Sequence, residues 1–312
     1  MANREPRDRN RPSRGPSQSA PDKASRAESH RSDKSREHGQ RPEKSHDRGQ
    51  RPEKSHDRGQ RPPGNQFWLY GQHAVAAALD NPRRKIRRLV LTAEAGRNWA
   101  PAIETAGHAR PLPGAEIVDK TEMERLLPPG AIHQGIGALC EPLPAPSIED
   151  IARMAADHPE AVVMVLDQVT DPHNVGAIVR SAAAFGALAV VVPDRHAPEE
   201  TGALAKAASG ALERMPLVRV TNVVRTLDDL KKAGFWVAGM AGEAERTLAS
   251  HKLSGRIALV MGAEGDGLRR LTREHCDFLV KLPMTGAVES LNVSNAAAVA
   301  LYELVRERLD KA

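Results

Sequence analysis

The chain has 312 residues, with 45 lysines and arginines against 40 aspartates and glutamates, and its formal net charge is +5. That length allows two domains, and no apolar run approaches the roughly 18 residues that a membrane-spanning helix needs. Cys140 and Cys276 are far apart and belong to no CxxC pair, so we expect buried thiols and neither a disulfide nor a metal site. The N-terminus has no apolar signal core, and we therefore expect a cytoplasmic protein.

The first part of the chain is basic and lacks the residues that build a core. Residues 1–64 hold 17 basic and 10 acidic residues, and no Leu, Ile, Val, Phe, Trp or Tyr precedes Phe67. Such a segment cannot offset roughly 1–2 kcal/mol of backbone entropy per residue, so we expect residues 1–65 to be disordered. The decapeptide GQRPEKSHDR occurs twice in succession, from Gly39 and from Gly49. A solvated linker and a charged arm with weak, salt-sensitive affinity for RNA both fit this repeat.

Residues 66–142 are predicted to form a small α/β domain, because short helical and extended patterns alternate along them. The predicted helices span residues 72–79, 99–106 and 121–127, and the predicted strands residues 87–92, 116–118 and 136–140. Thr121 is predicted to cap the third helix, with Glu124 in the capping-box position.

A basic turn lies between the first predicted helix and the first predicted strand. The turn contains Arg83, Arg84 and Lys85, and the basic cluster continues into the start of the strand with Arg87 and Arg88. Contact with phosphate requires Lys or Arg, so this turn is a candidate RNA-binding surface. A solvated turn without a ligand is the alternative.

Residues 143–149 form a predicted linker, in which Pro144 and Pro146 stop any helix from continuing. Residues 150–312 then alternate regularly. The predicted strands span residues 161–166, 188–192, 217–220, 235–239, 257–261 and 278–282, and the predicted helices include residues 201–208, 223–232 and 293–309. Repeated βα units require a parallel sheet that is covered on both faces.

The first strand of this second domain is followed by two candidate ligand-binding residues. Asn174 lies where a helix begins, and Arg180, six residues later, lies about 120° from it around the helix. The two side chains converge on one ligand if Asn174 turns inward at the cap. Alternatively, Asn174 is an N-cap and Arg180 is a surface charge.

A second candidate site follows the strand at residues 257–261. The loop from Gly262 to Gly267 contains three glycines and two acids. The glycine spacing matches neither GxGxxG nor the Walker A pattern, and Glu264 and Asp266 would repel a phosphate. Since glycines permit a ligand to approach the backbone closely, we expect a neutral or cationic ligand.

A third candidate site is the turn between the strand at residues 278–282 and the final helix. It contains Ser290, Asn292 and Asn295 within six residues. A loop between a buried strand and a helix N-terminus is where an α/β fold places its ligands. Capping of the final helix is the alternative role for Ser290 and Asn292.

These three stretches resemble, in order and spacing, the motifs of the SpoU-type RNA ribose 2′-O-methyltransferases of the SPOUT superfamily. The matching residues are Asn174 to Arg180, the GAEGDG run from Gly262 and the SLNV run from Ser290. The YGQHAV run from Tyr70 and the HQGI run from His133 similarly resemble the two ends of the family's auxiliary domain, which is related to ribosomal protein L30e. The resemblance covers residues 66–312 and favours the subtype that methylates a guanosine ribose in 23S rRNA.

The resemblance implies a fold, a cofactor and partners. The fold would be a SPOUT-type parallel sheet with a C-terminal trefoil knot, preceded by an L30e-like substrate-binding domain at residues 66–142, with the catalytic domain at residues 150–312. The cofactor would be S-adenosylmethionine, and the partners would be RNA and a second copy of the chain.

The resemblance also implies roles for single residues. Arg180 would contact the ribose 2′-hydroxyl or its phosphate and is the family's proposed base; because arginine stays protonated in ordinary settings, phosphate anchoring is a rival role. Asn174, Ser290 and Asn292 would orient the ribose and phosphate, and Glu264 would hold Arg180 or a loop amide. The implied cofactor contacts are Gly262, Leu282, Met284 and Leu291.

Other functions remain open from the sequence. The same chemistry on tRNA, or on an rRNA site that confers antibiotic resistance, is one alternative. A non-catalytic RNA-binding or ribosome-assembly factor on the same scaffold is another. The polar residues of the three motifs argue against the second alternative, because a binding module has no need of them.

Overall fold

Residues 64–310 are described by a computed structural model and contain two sheets of different size. The predicted disordered tail and its repeat lie outside these residues, except for residues 64 and 65. Within residues 64–310, none of the helices is both long and apolar enough to cross a membrane.

The smaller sheet has four strands in the order β1-β4-β2-β3, and β4 is antiparallel to both of its neighbours. Its strands are Phe67–Tyr70 (β1), Ile86–Leu91 (β2), Ala115–Ile117 (β3) and Ile136–Cys140 (β4). Its helices are Gln72–Asp80 (α1), Ala93–Ala109 (α2) and Lys120–Leu126 (α3).

Two local predictions for the smaller sheet are wrong. Helix α2 begins six residues earlier than predicted, since the Thr92 hydroxyl caps it by accepting from the Ala95 amide, despite the low helix propensity of Gly96 and Pro101. Helix α3 is capped by Asp119, which accepts from the Glu122 amide at 2.8 Å, and not by Thr121. Asp and Thr are both favourable caps, so residue type alone did not separate the two positions.

The larger sheet has seven strands in the order β7-β6-β5-β10-β8-β11-β9, and every neighbouring pair is parallel. Its strands are Ala161–Leu166 (β5), Ala189–Pro193 (β6), Leu217–Val220 (β7), Phe235–Met240 (β8), Arg246–Thr247 (β9), Arg256–Met261 (β10) and Phe278–Lys281 (β11). Its helices are Ile148–Ala156 (α4), Pro172–Ala184 (α5), Gly202–Ala208 (α6), Val223–Lys232 (α7), Leu248–His251 (α8), Arg270–Glu274 (α9) and Val293–Leu309 (α10).

Both faces of the larger sheet are covered, which confirms the predicted architecture. Every residue of β5 is buried, and its side chains alternate between two apolar clusters: Val162 belongs to one, and Val163 to the other. Helix α10 packs against α5 on one face and buries a stripe that ends at Val305. Leu309, the last residue of the helix, is exposed.

The strand order decides where a ligand can meet several loops at once. Strands β5, β10, β8 and β11 are consecutive in the sheet and parallel. The loops that follow their carboxyl ends therefore lie along one edge. Ligands of open α/β sheets bind outside such an edge.

The smaller sheet packs against the start of α6. A Cβ on Gly202 would overlap the Tyr70 ring and the Trp68 carbonyl, so glycine is required for this close approach.

The two cysteines, Cys140 and Cys276, are both free thiols. Burial raises the pKa of each thiol to about 12.

Candidate active site

The loop after β10 is a tight turn that only glycine permits at two positions. Ala263 and Gly267 exchange backbone hydrogen bonds of 3.0 Å in both directions. Gly265 and Gly267 have φ of +85° and +67°, in the left-handed region that a Cβ disfavours. At Gly262 the limit is space, since a Cβ there would overlap the backbone of Gly267 and Leu268.

A buried acid fixes the end of this loop. Asp167, directly after β5, is completely buried and accepts from the Arg269 Nε at 2.7 Å and from the Arg269 amide at 3.2 Å. This pair joins the carboxyl end of β5 to the residue that precedes α9. Sequence reasoning did not single it out, although an acid directly after six apolar residues is a signal that its charge must be paired.

Three polar side chains from three different loops meet at the edge of the sheet. Glu264 Oε1 accepts from Asn174 Nδ2 at 3.0 Å and from Asn292 Nδ2 at 2.8 Å. Asn292 Nδ2 also donates to Asn174 Oδ1 at 2.9 Å. The Val293 amide adds a contact of 3.3 Å to Glu264 Oε1. We name Asn174, Glu264 and Asn292 the polar triad; each member comes from a different one of the three predicted motifs.

The capping alternatives have different outcomes at the two asparagines. Asn292 is the N-cap of α10, because its Oδ1 accepts from the Ser294 amide at 3.0 Å. Its Nδ2 takes part in the polar triad, so capping does not exclude the ligand-binding role predicted for this residue, which stays a prediction. Asn174 is not an N-cap: Asp171 caps α5 by accepting from the His173 amide at 3.0 Å, and Asn174 is buried one turn later.

The triad borders a cavity of about 650 Å³ that lies at the ends of β8, β10 and β11. All four predicted cofactor contacts, Gly262, Leu282, Met284 and Leu291, line this first cavity, as do Ser290, Asn292 and Glu264. Its size is in the range of small-molecule sites.

The loop after β8 supplies one wall of the first cavity and was missed. Residues 240–243 line it, with Arg273 from α9. The Glu243 carboxyl accepts a hydrogen bond from its own backbone amide and another from the Arg273 guanidinium. Both hydrogen bonds lower the pKa of this carboxyl below its usual value. The only sequence signal was that a predicted buried strand ends just before this loop.

A second cavity of about 420 Å³ adjoins the first. Ala263, Glu264 and Asp266 line both cavities. The other lining residues come from the loops after β5 and β6 and from α5: Gln168, Val169, Thr170, Asp171, Asn174 and His196. The polar triad therefore lies between two adjoining spaces.

Arg180 lies apart from this arrangement. Its side chain is exposed on α5 and lines neither cavity. The contacts of Glu264 are with Asn174, Asn292 and the Val293 amide. Of the two partners predicted for Glu264, the structure thus has the loop amide and not Arg180.

The predicted RNA-binding turn divides into one buried and four solvent-accessible side chains. Arg84 is only 1% exposed, and its Nε donates to Glu213 Oε1 at 2.9 Å. The prediction that Arg84 contacts RNA is wrong, because its side chain is buried and paired with Glu213. The other four are accessible, although three of them have acidic partners: Lys85 and Arg87 with Glu141, and Arg88 with Glu116. Arg83 has no ion-pair partner within residues 64–310.

Within the described part of the chain, no group of three or more His, Cys, Asp or Glu side chains is placed to hold a metal ion. The donors that converge at the strand ends are backbone groups, amides and separate carboxylates. They fit an organic ligand with positive charge better than a metal or a phosphate.

Comparison with known proteins gives the same picture. Residues 161–302 match the model of the SpoU rRNA Methylase family, and residues 68–146 match the model for RNA 2'-O ribose methyltransferase substrate binding. The chain is 46% identical over 245 residues to the 23S rRNA (guanosine-2'-O-)-methyltransferase RlmB of Photorhabdus laumondii subsp. laumondii, which covers 77% of this chain and 98% of that protein. It is 44% identical over 250 residues to the RlmB of Vibrio vulnificus, covering 78% and 98% respectively.

Among solved structures, the fold is similar to the SpoU methyltransferase AviRb from Streptomyces viridochromogenes in complex with the cofactor AdoMet. The TM-score is 0.65 at 24% sequence identity, and the match covers 78% of this chain and 91% of that one. At this identity the likeness shows the fold alone.

Proposed function

The chain belongs to the SpoU rRNA methylase family, and from this membership and the geometry of the strand-end loops we propose that it methylates the 2′-oxygen of a guanosine ribose in 23S rRNA. The observation that carries the proposal is the polar triad, in which three loops meet between two adjoining cavities. One cavity takes the methyl donor and the other the acceptor.

The first cavity fits S-adenosylmethionine. S-adenosylmethionine supplies a methyl group on a sulfonium, which is already a good leaving group. The glutamates Glu243, Glu264 and Glu289 outnumber the two cations of the lining, Arg273 and Lys281, and this balance suits a ligand that is cationic and has no phosphate. The space that a Cβ on Gly262 would close lets backbone groups approach the ligand.

The chain's own residues then act mainly by positioning, which is a large part of the rate enhancement for a transfer of this kind. Glu264 accepts three hydrogen bonds and so fixes the Asn174 and Asn292 amides. Those amides orient the ribose and its phosphate, together with Ser290. Arg180, accessible and without an ion-pair partner among residues 64–310, anchors a phosphate next to the acceptor ribose, while the hydroxyl proton passes to water or phosphate.

Residues 66–142 act in this proposal as an L30e-like domain that binds the RNA substrate, joined by residues 143–149 to the catalytic domain at residues 150–312. The match to a substrate-binding model supports this assignment. The basic contacts are Arg83, Lys85, Arg87 and Arg88, without Arg84.

The finer features of the fold belong to the same proposal. A C-terminal trefoil knot is supported by the position of β11 between β8 and β9 and by the packing of α10 on α5. A homodimer through α10 is supported by exposed apolar side chains on that helix, Val299 and Tyr302. Because its RNA substrate is ribosomal, we assign the protein to the cytoplasm.

Methyl transfer is tested with methyl-labelled S-adenosylmethionine and an unmodified 23S rRNA transcript. We expect label in one alkali-resistant dinucleotide, since 2′-O-methylation blocks alkaline cleavage at that position, and the dinucleotide identifies the guanosine. Absence of label from RNA, or label that alkali releases with single nucleotides, would contradict the proposal.

The Arg180→Ala variant tests the assigned role of the arginine in the same assay. We expect methyl transfer to fall below detection while the affinity for S-adenosylmethionine changes less than about threefold, because Arg180 lines neither cavity. Arg225→Ala, which removes an exposed arginine from α7 on the other face of the sheet, is the matched control and retains activity. Equal loss of transfer and cofactor affinity in Arg180→Ala would refute the role.

A further inference from the structure

The second cavity, proposed above to take the acceptor, has wall residues to which the methyl transfer itself assigns no role. It lies beyond Glu264 as seen from the first cavity, and it is lined by the loops after β5, β6 and β10. Because Ala263, Glu264 and Asp266 border both spaces, a group held in the second cavity is a direct neighbour of a ligand in the first.

Two residues of this cavity hold an unfavourable backbone conformation. Gln168 and His196 have φ of 65° and 64°, in the left-handed region that non-glycine residues seldom occupy. Within residues 64–310 only five non-glycine residues have positive φ, and two of them, from different loops, line this one cavity. Such conformations cluster at ligand-binding sites, where they direct a side chain toward the ligand.

Asp266 brings a carboxylate to the same cavity. It is exposed between Gly265 and Gly267, and it has no hydrogen-bond or ion-pair partner within the described residues. Asp171, the other aspartate of the cavity, is already engaged as the cap of α5. A carboxylate can only accept hydrogen bonds, so Asp266 selects a ligand edge that offers donors.

Guanine is the standard base whose pairing edge offers two adjacent donors, N1–H and the N2 amino group. The two oxygens of one carboxylate can accept from both. Adenine, cytosine and uracil offer a single donor group on that edge. An enzyme that acts on a nucleotide in folded RNA reads an extruded base by its pairing edge and by stacking against it.

We propose that the second cavity receives the guanine base of the acceptor nucleotide, with Asp266 accepting from N1 and N2 and with His196 and Gln168 placed against the base. This inference rests on the proposed methyl transfer, and it assigns the base selectivity of that reaction to Asp266. The base then lies on one side of the polar triad and the methyl donor on the other, with the ribose between them.

The test compares two RNAs that differ by one amino group. The guanosine mapped in the methylation experiment is replaced by inosine, which keeps N1–H and lacks the N2 amino group. For the wild-type chain we expect kcat/KM to fall about tenfold or more on the inosine RNA, because a hydrogen bond to a charged group is lost. For Asp266→Asn we expect the two RNAs to be used within about threefold of each other, with unchanged affinity for S-adenosylmethionine.

Asp194→Asn is the matched control, since Asp194 is an exposed aspartate of the loop after β6 that lines neither cavity, and it should keep the wild-type preference for guanosine. Equal use of both RNAs by the wild-type chain would overturn the inference, as would an Asp266→Asn variant that keeps the full preference. A loss of cofactor affinity in Asp266→Asn with unchanged preference would also overturn it and would place Asp266 in the donor site. All three outcomes leave methyl transfer itself in place, whereas failure of the proposed function is the absence of transfer to any RNA.

Discussion

Two polar clusters join distant parts of this chain, and only one of them is open to a ligand. In the first, which we name the interior cluster, Arg84 and Asn81 donate to Glu213 across more than 120 residues of sequence. In the second, the polar triad, Asn174, Glu264 and Asn292 are between 28 and 118 residues apart in sequence. The charged pair of the interior cluster, Arg84 and Glu213, is buried, and Glu213 belongs to the 3₁₀ turn at Ala211–Glu213. The triad, by contrast, borders two cavities.

The role of a charged residue in a basic stretch therefore depends on its surroundings in the fold. Arg84 looks like its basic neighbours in sequence, yet its side chain is fully buried between Glu213 and Glu200. Burial raises the pKa of the Glu200 carboxyl, and the charge of Arg84 opposes that rise. The interior cluster therefore stabilises the contact between the two sheets, and the triad is free to position a substrate.

Removing the arginine of the interior cluster is expected to have the largest effect. Arg84→Met would leave Glu213 and Glu200 buried without their counter-charge, and we expect the free energy of unfolding to fall by about 3–5 kcal/mol. Urea denaturation measures this change. Arg83→Met, one residue away and exposed, is the control and should change stability by less than about 0.5 kcal/mol. Similar midpoints for the two variants would show that the interior cluster does not stabilise the fold.

Removal of the charge in the triad should affect turnover instead. Glu264→Gln removes the charge that holds two asparagine amides and the Val293 amide. We expect kcat to fall about 100-fold, since small displacements of positioning groups have effects of that size. Steady-state kinetics with 23S rRNA and a thermal melt measure both properties. A large loss of stability with nearly normal kcat in the folded fraction would show that the triad resembles the interior cluster.

Two glycine variants distinguish a glycine that the backbone turn requires from a glycine that only lines the first cavity. Gly262→Ala would force a methyl group into the backbone of the loop after β10, and we expect the affinity for S-adenosylmethionine to fall about tenfold or more. Gly242→Ala is the control, because Gly242 lines the same cavity and a Cβ there would meet nothing within 4 Å. Calorimetric titration compares them. Equal affinities would mean that the turn at Gly262 does not shape the donor site.

The smallest effect is expected at an exposed ion pair of the basic turn. Arg87 Nε donates to Glu141 Oε1 at 2.7 Å, and the arginine side chain is about half exposed. Solvent-exposed pairs contribute about 0–1 kcal/mol, so Arg87→Ala should leave the unfolding free energy within about 1 kcal/mol of wild type. It should weaken RNA binding at low salt if Arg87 contacts phosphate. Unchanged RNA affinity at low salt would remove Arg87 from the proposed RNA-binding surface.

The parallel sheet and the three motif loops could be predicted because their signals are local. Apolar runs such as residues 161–166 identify strands that are covered on both faces, and the ends of such strands mark ligand-binding loops. The motif residues Asn174, Glu264 and Asn292 were each found from their own stretch of sequence. Their common meeting point follows from the strand order, which places β10 beside β5 and β8.

What could not be predicted depends on partners that are distant in sequence. The burial of Arg84 requires Glu213, 129 residues away, and nothing in the basic turn indicates it. The loop at residues 240–243 has no distinctive composition and becomes part of the site only because β8 lies between β10 and β11. The left-handed conformations of Gln168 and His196 likewise have no signal in residue type, since glycine is the residue that such positions favour.

The proposed mechanism requires the loops after β8, β10 and β11 to hold the methyl donor. Ultraviolet cross-linking of methyl-labelled S-adenosylmethionine, followed by peptide mapping, tests it most directly. We expect label in peptides that contain residues 240–243, 261–268 or 282–293, with protection by excess unlabelled cofactor. Protectable label confined to the smaller sheet, residues 67–140, would contradict it.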